Sequence, residues 1–264
     1  MHAGTDGVLL VDKPPGRTSH DMVAETRRGL GRGVKVGHAG TLDPFATGLL
    51  LVLGGRATRV QRFLMALPKR YEVVARLGWT STTGDPEGEI APGRAPDEPL
   101  ALPTGALRQR PPAYSAVKVG GRRAYALARA GEAVELHERD VTVHRFELLD
   151  RREDRASLLV ECSAGTYVRS LVADLGDAYC LALRRTAIGP FDVAGAGRFF
   201  PLDEALAFLP AVELEPDDAR RAAHGSAVPG TASGTVRLRD ADGLVALAEP
   251  RPDGTLKPVV GFRG

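Results

Sequence analysis

Cysteine is almost absent: Cys162 and Cys180 are the two thiols in 264 residues. No C-x-x-C pair exists, so the spacing that a thiolate zinc site needs is missing. Two lone cysteines fit a reducing compartment, where a disulfide between them is not expected. Long apolar runs are lacking too. Val8–Val11 is cut off by Asp12, Lys13, Pro14 and Pro15, and Leu49–Leu53 falls far short of the roughly 20 residues of a spanning helix. A cytoplasmic protein with no membrane partner is therefore expected. The G-x-x-x-x-G-K-[ST] phosphate loop and the G-x-G-x-x-G fingerprint do not occur, and neither do H-E-x-x-H and G-x-S-x-G. These absences argue against the usual forms of nucleotide hydrolysis, nicotinamide chemistry, zinc hydrolysis and serine-hydrolase chemistry.

What is there is ordinary globular material: 43% hydrophobic and 26% charged residues, enough for a sizeable core. The length suggests one or two domains at about 150 residues each. The net charge of +2 is unremarkable, but its distribution is not. Between Lys13 and Arg76 stand twelve Lys/Arg and four acids, a surplus of eight, so the rest of the chain carries a net −6. That asymmetry suits a polyanion held by part of the surface, although a solvated helix face would give the same count.

Along the chain, Gly7–Val11 reads as a short buried strand. Thr18 or Ser19 can cap a helix that runs to about Arg28 and stops at Gly29. Gly29–Gly40 reads as a loop and Leu49–Leu53 as a second strand. Val60, Phe63 and Leu64 give Ala57–Ala66 a helical spacing. Tyr71–Leu77 is β-rich, Thr80–Gly88 forms turns, and Pro86–Pro103 is irregular. A helix is expected over Arg122–Ala130, ending at Gly131. Strands follow at Val141–Leu149 and Ala156–Cys162, and a helix at Tyr167–Leu175. Short β runs at Thr235–Leu238, Leu244–Leu247 and Pro258–Phe262 mark a small all-β appendage. The fold class is α+β: a mixed β-sheet with flanking helices, then a small barrel-like C-terminal domain. The expected division is 1–212 and 213–264.

The segment with the most chemistry is Gly37–Leu50. It places one carboxylate, Asp43, in a Gly-flanked loop just before a buried strand, and Pro44 stiffens the backbone behind it. Such a group can serve as nucleophile or electrostatic stabiliser. Equally, Asp-Pro commonly does no more than cap a turn.

Gly40-Thr41-Leu42-Asp43-Pro44-Phe45-Ala46-Thr47-Gly48 resembles the G-x-L-D-P-x-A-x-G catalytic loop of the TruB-type tRNA pseudouridine synthases. Leu10–Thr18 resembles the family's Lys-Pro loop, and Lys69-Arg70-Tyr71 with Leu77-Gly78 its tyrosine strand. Thr82–Gly88 is similar to its T-x-D-x-x-G turn, and Gln109–Lys118 with Gly121–Tyr125 to its Pro-Pro-x-Tyr-Ser-Ala segment. Ser163–Leu171 resembles its arginine motif; Leu183–Thr186 and Gly189–Phe191 also match. The likeness spans about residues 7–210. The family's longer helical stretch before the Pro-Pro segment is replaced here by Pro/Gly-rich sequence over residues 89–108.

The resemblance implies a pseudouridine synthase catalytic domain followed by a PUA-like RNA-binding domain. It implies an enzyme that isomerises a flipped-out uridine in the T-loop of tRNA (position 55), with Asp43, Tyr71 and Arg169 as catalytic residues. His38, Lys13, Asp85, Lys118, Tyr167 and Leu183 would bind RNA or support the site, and Leu42 and Ile188 would help wall it. No cofactor and no metal are implied; the partner is the tRNA T-arm stem-loop and the protein is a monomer. Two alternatives stand beside this: a non-catalytic tRNA-binding or folding protein on the same scaffold, and a carboxylate-based nucleoside hydrolase. Against the latter, no second catalytic carboxylate is identified.

Overall fold

The computed structural model describes residues 5–31, 33–115, 117–130, 132 and 136–263, and the backbone alone of residues 118, 123, 126, 128 and 129. Ten strands form one mixed sheet: β1 (Gly7–Lys13), β2 (Val36–Ala39), β3 (Thr47–Gly54), β4 (Lys69–Leu77), β5 (Gly105–Gln109), β6 (Arg139–Arg152), β7 (Arg155–Cys162), β8 (Ala178–Ile188), β9 (Phe191–Asp192) and β10 (Phe199–Pro201). The spatial order is β10-β1-β3-β8-β4-β7-β6-β5, with β2 on β3 and β9 on β8. Every pairing is antiparallel except β8 with β3, which touch in parallel at Arg184–Thr47 and Arg185–Gly48. The helices are α1 (Ser19–Leu30), α2 (Gln61–Ala66), α3 (Ala124–Arg129), α4 (Val168–Ala173), α5 (Leu202–Ala205) and α6 (Pro216–Ala223).

Strand β3 shows why the core sits where it does. Its five residues Leu49–Leu53 are all at most 1% exposed. Successive side chains point to opposite faces, so the run feeds two cores. Leu50 and Val52 pack with Met22 and Val23 of α1, whereas Leu49, Leu51 and Leu53 pack with Val60, Leu64 and Ile188. A strand covered on both faces is expected to be apolar throughout. Helix α1 starts at a capping box: Thr18 Oγ1 accepts from the Asp21 amide at 3.1 Å, and the Asp21 carboxylate accepts from the Thr18 amide at 2.8 Å. It runs two residues past the expected stop at Arg28, to Leu30.

Other expectations need adjustment. Arg122 and Arg123 are in a two-strand ribbon with Lys118–Val119, not in the helix, which starts at Ala124. The turn between them uses Gly120 and Gly121, both at positive φ, where a side chain is disfavoured. The expected stop at Gly131 lies outside the described residues. Strand β8 was not expected at all. Bulges at Cys180/Ala182 and Arg185/Ala187 break its alternation, and two adjacent arginines disguise an interior strand. Residues 89–108 contain no helix; Ile90–Pro92 pairs with Trp79–Ser81, and β5 closes the sheet edge.

A second sheet holds β11 (Ala211–Glu213), β12 (Val228–Pro229), β13 (Val236–Asp240), β14 (Gly243–Pro250) and β15 (Thr255–Gly261), in the order β11-β13-β14-β15-β12. Ala219 and Ala222 of α6 pack on it with Val236, Leu238 and Val245. This unit is docked, not tethered. Leu247 and Phe262 belong to the same apolar cluster as Val8, Leu51 and Leu53. Arg59 donates to the Gly261 carbonyl at 2.9 Å, and Arg62 reaches Glu249 at 3.2 Å. Both cysteines are buried free thiols. Among the described residues no helix is long and apolar enough to cross a membrane.

Phe262 is 5% exposed, at the junction of the two sheets. Phe262→Ala should therefore destabilise the whole chain by about 3–5 kcal/mol in urea unfolding. A loss confined to a separate, low-stability transition would contradict the shared core.

Candidate active site

The loop that carries Asp43 leaves β2, turns at Gly40 (φ 91°) and enters β3. Three buried side chains pin it. The Ser19 hydroxyl accepts from the Leu42 amide at 2.9 Å and donates to the Leu42 carbonyl at 3.3 Å. The Lys13 ammonium donates to the carbonyls of Pro14, Arg17 and Pro44, at 3.0, 2.7 and 3.1 Å. From β8, Arg185 donates to the carbonyls of Leu49 (2.7 Å), Gly40 (3.1 Å) and Thr41 (3.4 Å), so it holds both ends of the loop. At Gly48 (φ 101°) the backbone passes so close to β8 that a Cβ would lie 2.2 Å from the Arg185 carbonyl oxygen. Only glycine meets both demands.

Asp43 faces Arg169. Nε of this guanidinium is 2.9 Å from Asp43 Oδ2, and Nη1 is 3.2 Å from Asp85 Oδ2. Nη1 also donates to the Thr83 carbonyl at 2.5 Å, and Nη2 to the Tyr114 carbonyl at 2.6 Å. Asp85 is fixed in its turn by the Thr83 hydroxyl (2.6 Å) and the Glu87 amide (3.0 Å). Arg169 follows Tyr167, whose amide and carbonyl are both bound by the Gln109 side chain, at 2.7 and 2.9 Å. The Arg169 and Asp85 side chains are 4% and 6% exposed, but that of Asp43 is 34% exposed. The Asp43 carboxylate thus lies below the protein surface and is still reachable. Burial pushes its pKa above the ordinary carboxylate value; Arg169 opposes the rise and Asp85 adds to it.

Two cavities meet at Asp43 and Arg169. The larger, about 690 Å³, is lined by Thr18, His20, Asp85, Glu87, Tyr114 and Ser115, among others. The smaller, about 320 Å³, is lined by Lys69, Tyr71, Tyr167, Leu183 and Arg185. Tyr71 is opposite Arg185 across the β4–β8 pairing, so the two side chains stand on the same face of the sheet and both line this cavity. Burial raises the pKa of this phenol, with Arg185 pulling the other way.

A family model described as TruB family pseudouridylate synthase (N terminal domain) matches residues 27–168. The tRNA pseudouridine synthase B of Thermobifida fusca (strain YX) is 46% identical over 98% of this chain and 99% of its own. That of Mycobacterium bovis (strain BCG / Pasteur 1173P2) is 40% identical over 97% of this chain and 95% of its own. The chain belongs to the TruB family of pseudouridylate synthases. The fold agrees: a chain in the crystal structure of a Cbf5-Nop10-Gar1 complex superposes with a TM-score of 0.70 at 26% identity, covering 98% of this chain and 84% of that one.

In this TruB-family chain, seven residues singled out from sequence line the two cavities: Leu42, Asp43, Tyr71, Asp85, Tyr167, Arg169 and Leu183. Lys13 is fully buried and all three of its protons go to backbone carbonyls, which fits the site-supporting half of its expected role, as a clamp on the Asp43 loop, and not a phosphate contact. His38 lies in β2 and lines neither cavity; its ring meets His20 edge-on at 5.6 Å, and it is His20 that faces the larger cavity. Ile188 is core, packed with Leu51 and Leu64, and not cavity wall. The side chain of Lys118 lies outside the described residues. Sequence reasoning passed over Arg185, Lys69, Ser19 and Gln109. The burial of the first two gave no sequence signal, because consecutive charges at Arg184-Arg185 and Lys69-Arg70 read as surface.

The Asp43 carboxyl should titrate above 3.8 in the folded protein. Because the folded-state value is the raised one, ionisation of Asp43 works against the fold as pH rises through that titration. In Asp85→Asn the midpoint should move down, since a neighbouring negative charge is removed while Arg169 remains. Carbon-13 NMR of labelled aspartate measures this directly; an unmoved or higher midpoint would mean that Asp85 does not act on Asp43 by charge.

Proposed function

We propose that this chain converts a uridine in the T-loop of tRNA, at position 55, to pseudouridine, with Asp43 as the essential carboxylate acting on a flipped-out base. The observation that carries this reading is the placement of Asp43: a reachable carboxylate, aimed by a buried guanidinium, and the one acid among the described residues that lines both cavities. Its relatives' names supply the RNA class.

Pseudouridine formation breaks the N1–C1′ bond, turns the uracil and rejoins it through C5. Atoms and electrons balance without a redox partner or a nucleotide, so the chemistry itself asks for no cofactor. As the bond opens, C1′ becomes electron-poor, and an ionised carboxylate against the ribose stabilises it, as in glycosidases. Arg169 keeps Asp43 ionised and oriented through a charge-assisted bond. Tyr71 stands where its ring can stack on the uracil and its hydroxyl can take the C5 proton. Water reaching C1′ would cause base loss, so the small cavity walled by Leu183 and Tyr71 must close over the base. The target must leave its stack to enter, which a single-stranded loop makes cheaper. The basic surplus between Lys13 and Arg76 belongs to the part that carries Asp43, so phosphate attraction acts there. Residues 1–212 would then hold the chemistry and 213–264 a PUA-like RNA-binding unit, in a monomeric cytoplasmic enzyme.

The test is to incubate the purified protein with a T-arm stem-loop and no additives, and to map pseudouridine. The parent should modify the loop. Asp43→Asn should lower turnover by at least about 10³-fold, bind the RNA as well as the parent, and be no less stable at neutral pH. Retained turnover in that variant would remove Asp43 from its role. RNA binding without any pseudouridine from the parent would leave a folding or binding protein, and free uracil would indicate a hydrolase.

A further inference from the structure

The two cavities differ in charge. Among the described residues lining the larger one stand four acids, Asp43, Asp85, Glu87 and Glu89, against one arginine, Arg169. The smaller one reverses this: Lys69, Arg139, Arg169 and Arg185 line it, and Asp43 is its one acid among the described residues. Two of these cations are unusual. Lys69 is 8% exposed and Arg185 1%, and among the described residues neither has a carboxylate within ion-pair distance. Burying a cation without an anion is costly, and backbone carbonyls offset that cost only in part. Lys69 gives two of its three protons to the carbonyls of Met65 and Leu67. Arg185 gives three to the loop carbonyls. Each therefore keeps donor capacity on the side of Tyr71, which lies two residues from Lys69 on the same face of β4 and directly beside Arg185 in the sheet.

We propose that Lys69 and Arg185, in the wall of the smaller cavity, stabilise the uracil ring as an anion once it has left the ribose. This rests on the function proposed above. When the C1′–N1 bond breaks, both electrons stay with N1 and spread to O2 and O4, and the ribose is left electron-poor. With the base in the cationic cavity, the ribose is left toward the acidic one, so each half of the separated charge meets its opposite. C5 then bonds C1′, the C5 proton leaves to Tyr71, and N1 regains a proton; the product is an isomer with nothing gained or lost. Burial lowers the lysine to about 8, which keeps it mostly charged at neutral pH. An arriving anion would hold the proton more firmly.

The experiment compares two T-arm stem-loops, carrying uridine or 5-fluorouridine at the target, in single-turnover cleavage of the C1′–N1 bond. Fluorine withdraws electron density, so its uracil anion needs less help from the protein. Lys69→Met should slow the uridine substrate on the order of 10²-fold and the fluorinated one by less than about 10-fold. Lys69→Gln, which can hydrogen-bond but carries no charge, should behave like Lys69→Met. Because both rates come from one preparation, their ratio does not depend on how much of the variant is folded. Equal losses on the two substrates, no loss, or recovery by Lys69→Gln would overturn the proposal while leaving the function intact. A parent that forms no pseudouridine would overturn the functional reading first and this one with it.

Discussion

A single guanidinium, that of Arg169, is bonded to the carboxylates of Asp43 and Asp85 and to the carbonyls of Thr83 and Tyr114. Those partners come from three separate stretches of chain, which this one side chain draws together. A lysine in its place could not do so, because a compact ammonium lacks the planar fork that reaches several acceptors at once. Two carboxylates share one cation, so the group carries a net negative charge wherever both are ionised. Asp43 is the member that also opens onto the cavities, and there burial weakens its hold on charge. The same arrangement therefore aims the carboxylate and keeps it less stable as an anion than an ordinary surface aspartate, a usual tension between stability and a reactive group.

The Asp43 loop owes its shape to cations that never reach the surface. Lys13 and Arg185 bind backbone carbonyl oxygens on either side of Asp43, at Gly40, Pro44 and Leu49, and Ser19 binds both backbone groups of Leu42. None of these contacts uses a side chain of the loop itself. Asp43, Phe45 and Thr47 are thereby left free for other contacts, while the backbone that carries them is fixed. A reactive group benefits from such support, since misplacement by about 1 Å can cost on the order of 10²-fold in rate.

Local signals in the sequence revealed the fold class and five of the ten strands of the large sheet, whereas β2 lies in a stretch, Gly29–Gly40, that reads as a loop. The Thr18–Asp21 capping box, the apolar run Leu49–Leu53 and the alternation of Tyr71–Leu77 each carry their structure in their own pattern. Asp43, Tyr71 and Arg169 were found through motif likeness; neither spacing nor periodicity would have brought three residues so far apart in the chain to one site. Strand β8 was illegible for a different reason. Its bulges shift the phase of inward and outward positions, so no window of constant period covers it. Lys13, Lys69 and Arg185 illustrate the deeper limit. Whether a basic residue is solvated or buried depends on acceptors tens of residues away, and sequence pattern does not show those acceptors.

The register of β8 decides where the charges go. Successive side chains of a strand face opposite sides, and Arg184 and Arg185 use that rule to opposite ends. Arg184 turns outward and pairs with Asp12 at 2.7 Å, whereas Arg185 turns inward to the loop carbonyls, beside Tyr71 on β4. A slip of one residue would exchange them, burying the wrong arginine and freeing the loop. Two features oppose that slip. The parallel contact with β3 requires a glycine at position 48 beneath the Arg185 carbonyl, and the bulge at Arg185/Ala187 locks the pairing with β4 immediately beyond it. The one parallel junction in an otherwise antiparallel sheet is thus the place where backbone geometry fixes the electrostatics around Asp43.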